Sequence, residues 1–156
     1  MRILMVCMGN ICRSPTAEVV MRHRLRQRGL ETTVNVDSAG THANQLGHAA
    51  DERAIAHAAR RGYDLRGMRA RRVEAADFMH CDLVLAMDGD NLAALRAACD
   101  PAHLGKLRGL MAFAPAGSPA SVPDPYYGGA AGFERVLDLI ELGCDGLVEY
   151  LHLHRG

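Results

Sequence analysis

The chain has no tryptophan, one lysine, only 4% aromatic residues and a formal net charge of zero. That balance excludes the broad basic face of a general nucleic-acid binder and leaves room only for local patches. No apolar run approaches the length that spans a bilayer, so no membrane partner is expected. The opening MRILMVCMGN has an apolar stretch too short for a secretory signal and lacks a small-residue cleavage site. None of the five cysteines falls in a C-x-x-C pair, and their number is odd. A disulfide framework or a zinc site is therefore not expected, and a reducing cytoplasm is. Repeats, low-complexity tracts and interdomain linkers are missing too.

What remains has the balance of an ordinary globular protein. There are 156 residues, 49% hydrophobic and 23% charged. This fits one domain over residues 1–156 with an adequate core. Arginine for nearly every basic residue, with abundant alanine, fits a GC-rich bacterial genome.

Strand and helix patterns alternate. Arg2–Val6 is a short apolar run ended by Gly9 and Asn10, which predicts a buried strand. A helix follows from about Pro15 to Arg28, with Ser14 placed to cap it and Gly29 after its end. Thr32–Asp37 alternates and is β-branched, a second strand. Ala49–Arg61 reads as a helix with Asp51 and Glu52 in its first turn. Asp82–Met87 is a third buried strand, Asn91–Cys99 a helix, and Gly109–Phe113 a fourth strand. Ala114–Gly129 holds every proline except Pro15 and Pro101, so it is a long loop. Gly132–Leu153 closes the chain as an amphipathic helix interrupted near Gly143 and Gly146. Alternation of this kind predicts an α/β fold, an open parallel sheet with helices on both faces. Ligands in such sheets bind beyond the carboxyl ends of the strands, and Cys7 lies there.

The segment Cys7-Met8-Gly9-Asn10-Ile11-Cys12-Arg13-Ser14 is the candidate site. A Cys with an Arg six residues later arises by chance in roughly half of all chains of this composition, so spacing decides little. The setting decides more. The pair lies between a strand and a helix amino terminus, with Gly9 and Asn10 suited to positive φ. Successive N–H groups of such a loop, with the helix end behind them, cradle an anion. The same donors favour a thiolate at Cys7. Arg13 offers two parallel donors to phosphoryl oxygens, a geometry lysine lacks. Ser14 is placed to donate to the sulfur.

VCMGNICRSPTAE closely resembles the phosphate loop of the low-molecular-weight protein tyrosine phosphatases. The resemblance continues at Asp37-Ser38-Ala39-Gly40-Thr41, at Met87-Asp88 with Asn91, and at Asp124-Pro125-Tyr126-Tyr127 followed by Phe133-Glu134. It implies a single flavodoxin-like domain with a four-stranded parallel sheet, a cysteinyl-phosphate intermediate, and neither metal nor cofactor. It implies Cys7 as nucleophile, Arg13 as phosphate ligand and Asp124 as general acid. Met8, Gly9, Asn10, Ile11 and Cys12 would line the phosphate with Arg13, while Asn10, Ser14 and Ser38 would prop the loop. Ile11, Asn44, Tyr126 and Tyr127 would flank the substrate, and the two tyrosines are sites of regulatory phosphorylation in relatives. Cys12 would be a redox partner that protects Cys7. Asp88 matches a carboxylate near the site, and on local grounds it is an ordinary helix-start residue. The expected partner is a phosphotyrosine-containing protein, a tyrosine kinase among the candidates. The expected assembly is a monomer or weak dimer.

Two departures bear on specificity. The stretch Thr41–Ala50 lacks the aromatic that many relatives place over the substrate ring. Met68 stands where many relatives have a histidine. Ile11 points toward an aryl phosphate, since relatives acting on phosphoarginine tend to carry threonine there. A thiol-based arsenate reductase, the alternative on the same loop, needs cysteines after the third strand. Cys81 precedes that strand.

Overall fold

A computed structural model describes residues 1–42, 44–125 and 128–154. In chain order the elements are β1 (Arg2–Cys7), α1 (Arg13–Gln27), β2 (Asn35–Gly40), α2 (Glu52–Ala59), α3 (Ala75–His80), β3 (Leu83–Ala86), α4 (Gly89–Ala98), β4 (Leu107–Gly109) and α5 (Gly129–His154). The four strands form one sheet in the order β2-β1-β3-β4, every pairing parallel. Cys7 registers with Gly40 on one side of β1, and Val6 with Ala86 on the other.

β1 is central, and its alternation feeds two cores. Ile3, Met5 and Cys7 face the larger one, built with Val20, Met21 and Leu25 of α1, Ala54 and Ala58 of α2, and the apolar face of α5. Leu4 and Val6 face the smaller one, with Phe78 of α3 and Leu95 of α4. Helices therefore cover both faces, which is why β1 and β3 read as continuous apolar runs. The chain leaves β1 toward β2 and later returns to β3 on its other side. The carboxyl end of β1 is thus the point where strand order reverses, the place such sheets bind ligands.

Several boundaries differ from expectation. α1 begins at Arg13, its N-cap position is Cys12, and no side chain caps it. Ser14 is spent inside the loop instead, and Pro15 sits in the first turn, where its missing N–H costs nothing. β2 starts three residues later than predicted, because Thr33 and Val34 turn back onto the carbonyl of Leu30. β4 ends at Gly109, and Leu110–Phe113 is a turn of 3-10 helix. That run is apolar because it packs on α5, not because it pairs in the sheet. α5 runs through Gly143 and Gly146 without a break. α3 was not predicted from the sequence; Glu74 N–H donates to Asp77 Oδ2 at 2.8 Å across its first turn.

Candidate active site

The loop after β1 is held from outside. The carbonyls of Cys7, Met8, Ile11 and Cys12 accept from the N–H groups of Thr41, His42, Asp51 and Thr16 at 2.8–3.3 Å. Among the described residues no peptide bond is cis. Fixing these carbonyls outward turns the N–H edges of the same peptides toward the interior of the loop. Asn10 is the only non-glycine among the described residues with positive φ, at 58°. Gly9, expected to share that conformation, does not adopt it; a Cβ there would meet Gln45 Cγ at 3.1 Å. A Cβ on Gly40 would lie 2.6 Å from the Met8 carbonyl oxygen, so β2 must end in glycine for the loop to rest on it.

Cys7 Sγ sits 3.0 Å from Ser14 Oγ. Asn10 Nδ2 donates to that hydroxyl at 2.8 Å, which occupies one lone pair of the oxygen. The hydroxyl proton has two acceptors within reach, the sulfur at 3.0 Å and the Ala39 carbonyl at 3.4 Å.

Arg13 is buried beside Cys7, and its direction is fixed by two elements. Nη1 donates to Asp88 Oδ2 at 2.6 Å and to the Val122 carbonyl at 3.0 Å. Asp88 uses its other oxygen to cap α4 through Asn91 N–H at 2.7 Å. The two sequence readings of Asp88 are therefore both realised, one oxygen each. Nη2 of Arg13 faces Asp124 Oδ2 at 3.7 Å. Val122 N–H donates to the Met87 carbonyl at 2.8 Å, which ties the proline-rich loop to the end of β3 two residues before Asp124.

These groups surround a cleft of about 170 Å³. Cys7, Met8, Gly9, Ile11, Cys12 and Arg13 line it, together with Asn44, Gln45 and Asp124. Tyr126 and Tyr127 lie outside the described residues.

Asn10 and Ser38 sit behind the loop around a second cavity of about 160 Å³. Asn10 Oδ1 accepts from Arg71 N–H at 3.0 Å. Ser38 donates to Glu18 Oε1 at 2.6 Å, so its hydroxyl turns to α1 rather than to the loop. Burial pushes the Glu18 carboxyl above its usual range, against the Ser38 hydrogen bond and the Arg22 charge. The Arg71 guanidinium binds Asp77 and Asp37, fastening α3 and β2 to the same point. Neither Arg71 nor Glu18 was singled out from the sequence. A buried Glu one turn into a helix that follows the loop was the available signal.

Burial, with Asp51 next, pushes the Cys12 thiol far up, so it is protonated where it lines the cleft. Cys81 and Cys99 belong to the core on the other face, and Cys144 is fully buried under α1. Among the described residues no group of three or more His, Cys, Asp or Glu is arranged to hold a metal. No described helix is long and apolar enough to cross a membrane.

The profile of the family described as low molecular weight phosphotyrosine protein phosphatase matches residues 2–155. A low molecular weight protein-tyrosine-phosphatase of Streptomyces coelicolor is 44% identical, over 94% of this chain and 91% of that one. The crystal structure of a protein tyrosine phosphatase from Entamoeba histolytica, with Hepes in its active site, superposes with a TM-score of 0.96 at 38% identity, over 100% of this chain and 99% of that one. A Drosophila arginine phosphatase superposes at 0.88 with 29% identity, covering 96% and 97%. Sequence, fold and the coverage of both chains agree, and the protein belongs to the low-molecular-weight protein tyrosine phosphatase family.

Proposed function

We propose that the protein hydrolyses phosphotyrosine in proteins through a phosphorylated Cys7. The observation that carries this reading is the convergence of Cys7, Arg13 and Asp124 on one cleft of about 170 Å³. The Cys7 thiolate attacks phosphorus and the bond to the tyrosyl oxygen breaks. Asp124 gives its proton to that oxygen, and tyrosine leaves. Water then attacks the phosphocysteine and passes a proton to the Asp124 carboxylate. The sulfur–phosphorus bond breaks, phosphate departs, and the thiolate is restored with Ser14 donating to it. Arg13 and the loop N–H groups stabilise charge on the transferring group throughout. A positioned acid contributes about 10²–10⁴ in rate.

Ile11 on the cleft wall supports an aryl phosphate, because a branched apolar side chain packs on a flat ring and offers a guanidino group no acceptor. The likeness to an arginine phosphatase makes phosphoarginine the second substrate to assay. For arsenate reduction, the cleft lining contains Cys7 and Cys12 but no further cysteine to relay electrons.

The test is turnover of a phosphotyrosine peptide, phosphoarginine and arsenate side by side. The phosphotyrosine peptide is expected to be hydrolysed at least tenfold faster than phosphoarginine, with arsenate unreduced. Faster phosphoarginine hydrolysis, or thiol-dependent arsenate reduction, would overturn the assignment.

A further inference from the structure

α2 grips the first turns of α5 through one buried imidazole. His57 Nδ1 lies 2.5 Å from Glu134 Oε2, and the His57 side chain is 10% exposed. Its ring stacks on Phe133 with centroids 5.4 Å apart and planes within 6°. Arg53, one turn earlier on the same face of α2, covers the Phe133 ring from 4.9 Å. Hydrogen bonds from Arg61 and then His57 hold the Glu134 carboxyl below its usual range. The His57 contact is thus made to a charge.

The grip continues to the acid-bearing loop. Pro125, Phe133, His57 and Cys12 are among the residues lining a residual space of about 10 Å³, no more than one water fills. A Cβ on Gly132 would stand 4.0 Å from Pro125 Cα and Cβ, so the start of α5 passes close to that residue. Gly128 N–H donates to the Pro125 carbonyl at 2.9 Å. Pro125 in turn biases the backbone of Asp124 toward an extended conformation.

We propose that His57 is a positioning residue for the protonation step: by seating Phe133 and Glu134 it sets Pro125, and through it the direction of the Asp124 carboxyl. The proposal rests on Asp124 being the acid. His57 touches neither substrate nor sulfur, so phosphate binding is independent of it.

The experiment is a double-mutant cycle in His57→Ala and Asp124→Ala, read with phenyl phosphate, a poor leaving group, and p-nitrophenyl phosphate, a better one. His57→Ala is expected to lower kcat/KM, which reports the steps up to departure of the leaving group, on phenyl phosphate by about tenfold or more, and on p-nitrophenyl phosphate by clearly less. Vanadate inhibition should be unchanged. In the Asp124→Ala background, His57→Ala should cost nothing further. Glu134→Ala removes the same bond from a side chain that is 42% exposed, and gives the same split should His57→Ala not fold. Equal losses on both substrates, or the same loss with Asp124 already removed, overturn the proposal and leave His57 a structural residue. If Asp124→Ala itself shows no dependence on the leaving group, the acid assignment fails first and takes this proposal with it.

Discussion

Asn10 does three jobs with one small side chain. It holds the left-handed backbone that bends the loop, it orients Ser14, and it accepts the N–H of Arg71. Alanine at this position faces a left-handed cost of about 1–2 kcal/mol. It also leaves the Arg71 N–H unpaired, a loss of roughly 1–3 kcal/mol. Asn10→Ala is therefore expected to lower stability by roughly 2–5 kcal/mol and kcat by at least tenfold. Asn10→Gly relieves the backbone but cannot orient Ser14, so part of the stability should return while kcat stays low. Thermal melts and p-nitrophenyl phosphate turnover on both variants separate the two roles; full activity in either would remove Asn10 from the site. The identity of the loop residues was legible because their chemistry is local: Cys7, Arg13 and Ser14 lie within eight positions. Their supports were legible only in part: Asp88 was marked by the resemblance, while Arg71, whose N–H meets Asn10, reaches the loop through the folded chain. Ser14 shows the limit within the loop itself. The sequence places it either to cap the helix or beside the sulfur; it caps nothing, and its hydroxyl lies 3.0 Å from Cys7 Sγ.

At the scale of elements, α5 explains the apparent interruption at Gly143 and Gly146. A Cβ on Gly146 would fall 1.7 Å from the Phe113 carbonyl oxygen, and one on Gly143 would meet Leu110 Cγ at 2.8 Å. These glycines let the 3-10 turn after β4 press against the helix backbone. An alanine in an ordinary helix position stabilises by up to about 1 kcal/mol relative to glycine. Here the sign reverses, and Gly146→Ala should destabilise by roughly 1–3 kcal/mol or more through overpacking against backbone that cannot yield. A rise in melting temperature would show that the turn is free to move away. The same packing explains why the fourth strand was misplaced: Leu110 and Met111 are buried like strand residues, but against a helix. Periodicity reports that a side chain is buried and says little about what buries it. The six-residue α3 left no period to read.

Across the whole molecule, α1, α2 and α5 are joined by a network of arginines and carboxylates. Arg24 binds Asp145, Glu141 and the Tyr63 hydroxyl, and Arg61 binds Glu134, Asp138 and Glu141. Burial pushes the Glu141 carboxyl up, but hydrogen bonds from Tyr63 and Arg61, with Arg24, bring it below its usual value of 4.5. Glu134 is lowered from the same value. A carboxylate lowered in the fold contributes stability above its unfolded value and loses it as pH falls through the folded one. Glu18 runs the other way, its raised carboxyl contributing below 4.5 and losing that contribution as pH rises. The melting temperature should therefore fall steeply as pH drops below about 4.5, and Glu141→Gln should flatten that fall. An unchanged slope in the variant would place the acid sensitivity elsewhere. The sheet with helices on both faces, and Cys7 at the end of its central strand, followed from strand–helix alternation and two apolar runs. The ion-pair network did not, since its partners are separated by 73 to 121 positions in sequence.

The central claim is that Cys7 carries the phosphoryl group, and the most direct measurement is to catch it there. Enzyme turning over p-nitrophenyl phosphate is quenched in acid within milliseconds and its peptides are mapped by mass spectrometry. Phosphate on Cys7 is expected, accumulating when Asp124→Ala slows the attack of water, and absent in Cys7→Ser. Turnover with no phosphocysteine, or with phosphate on another residue, would contradict the account.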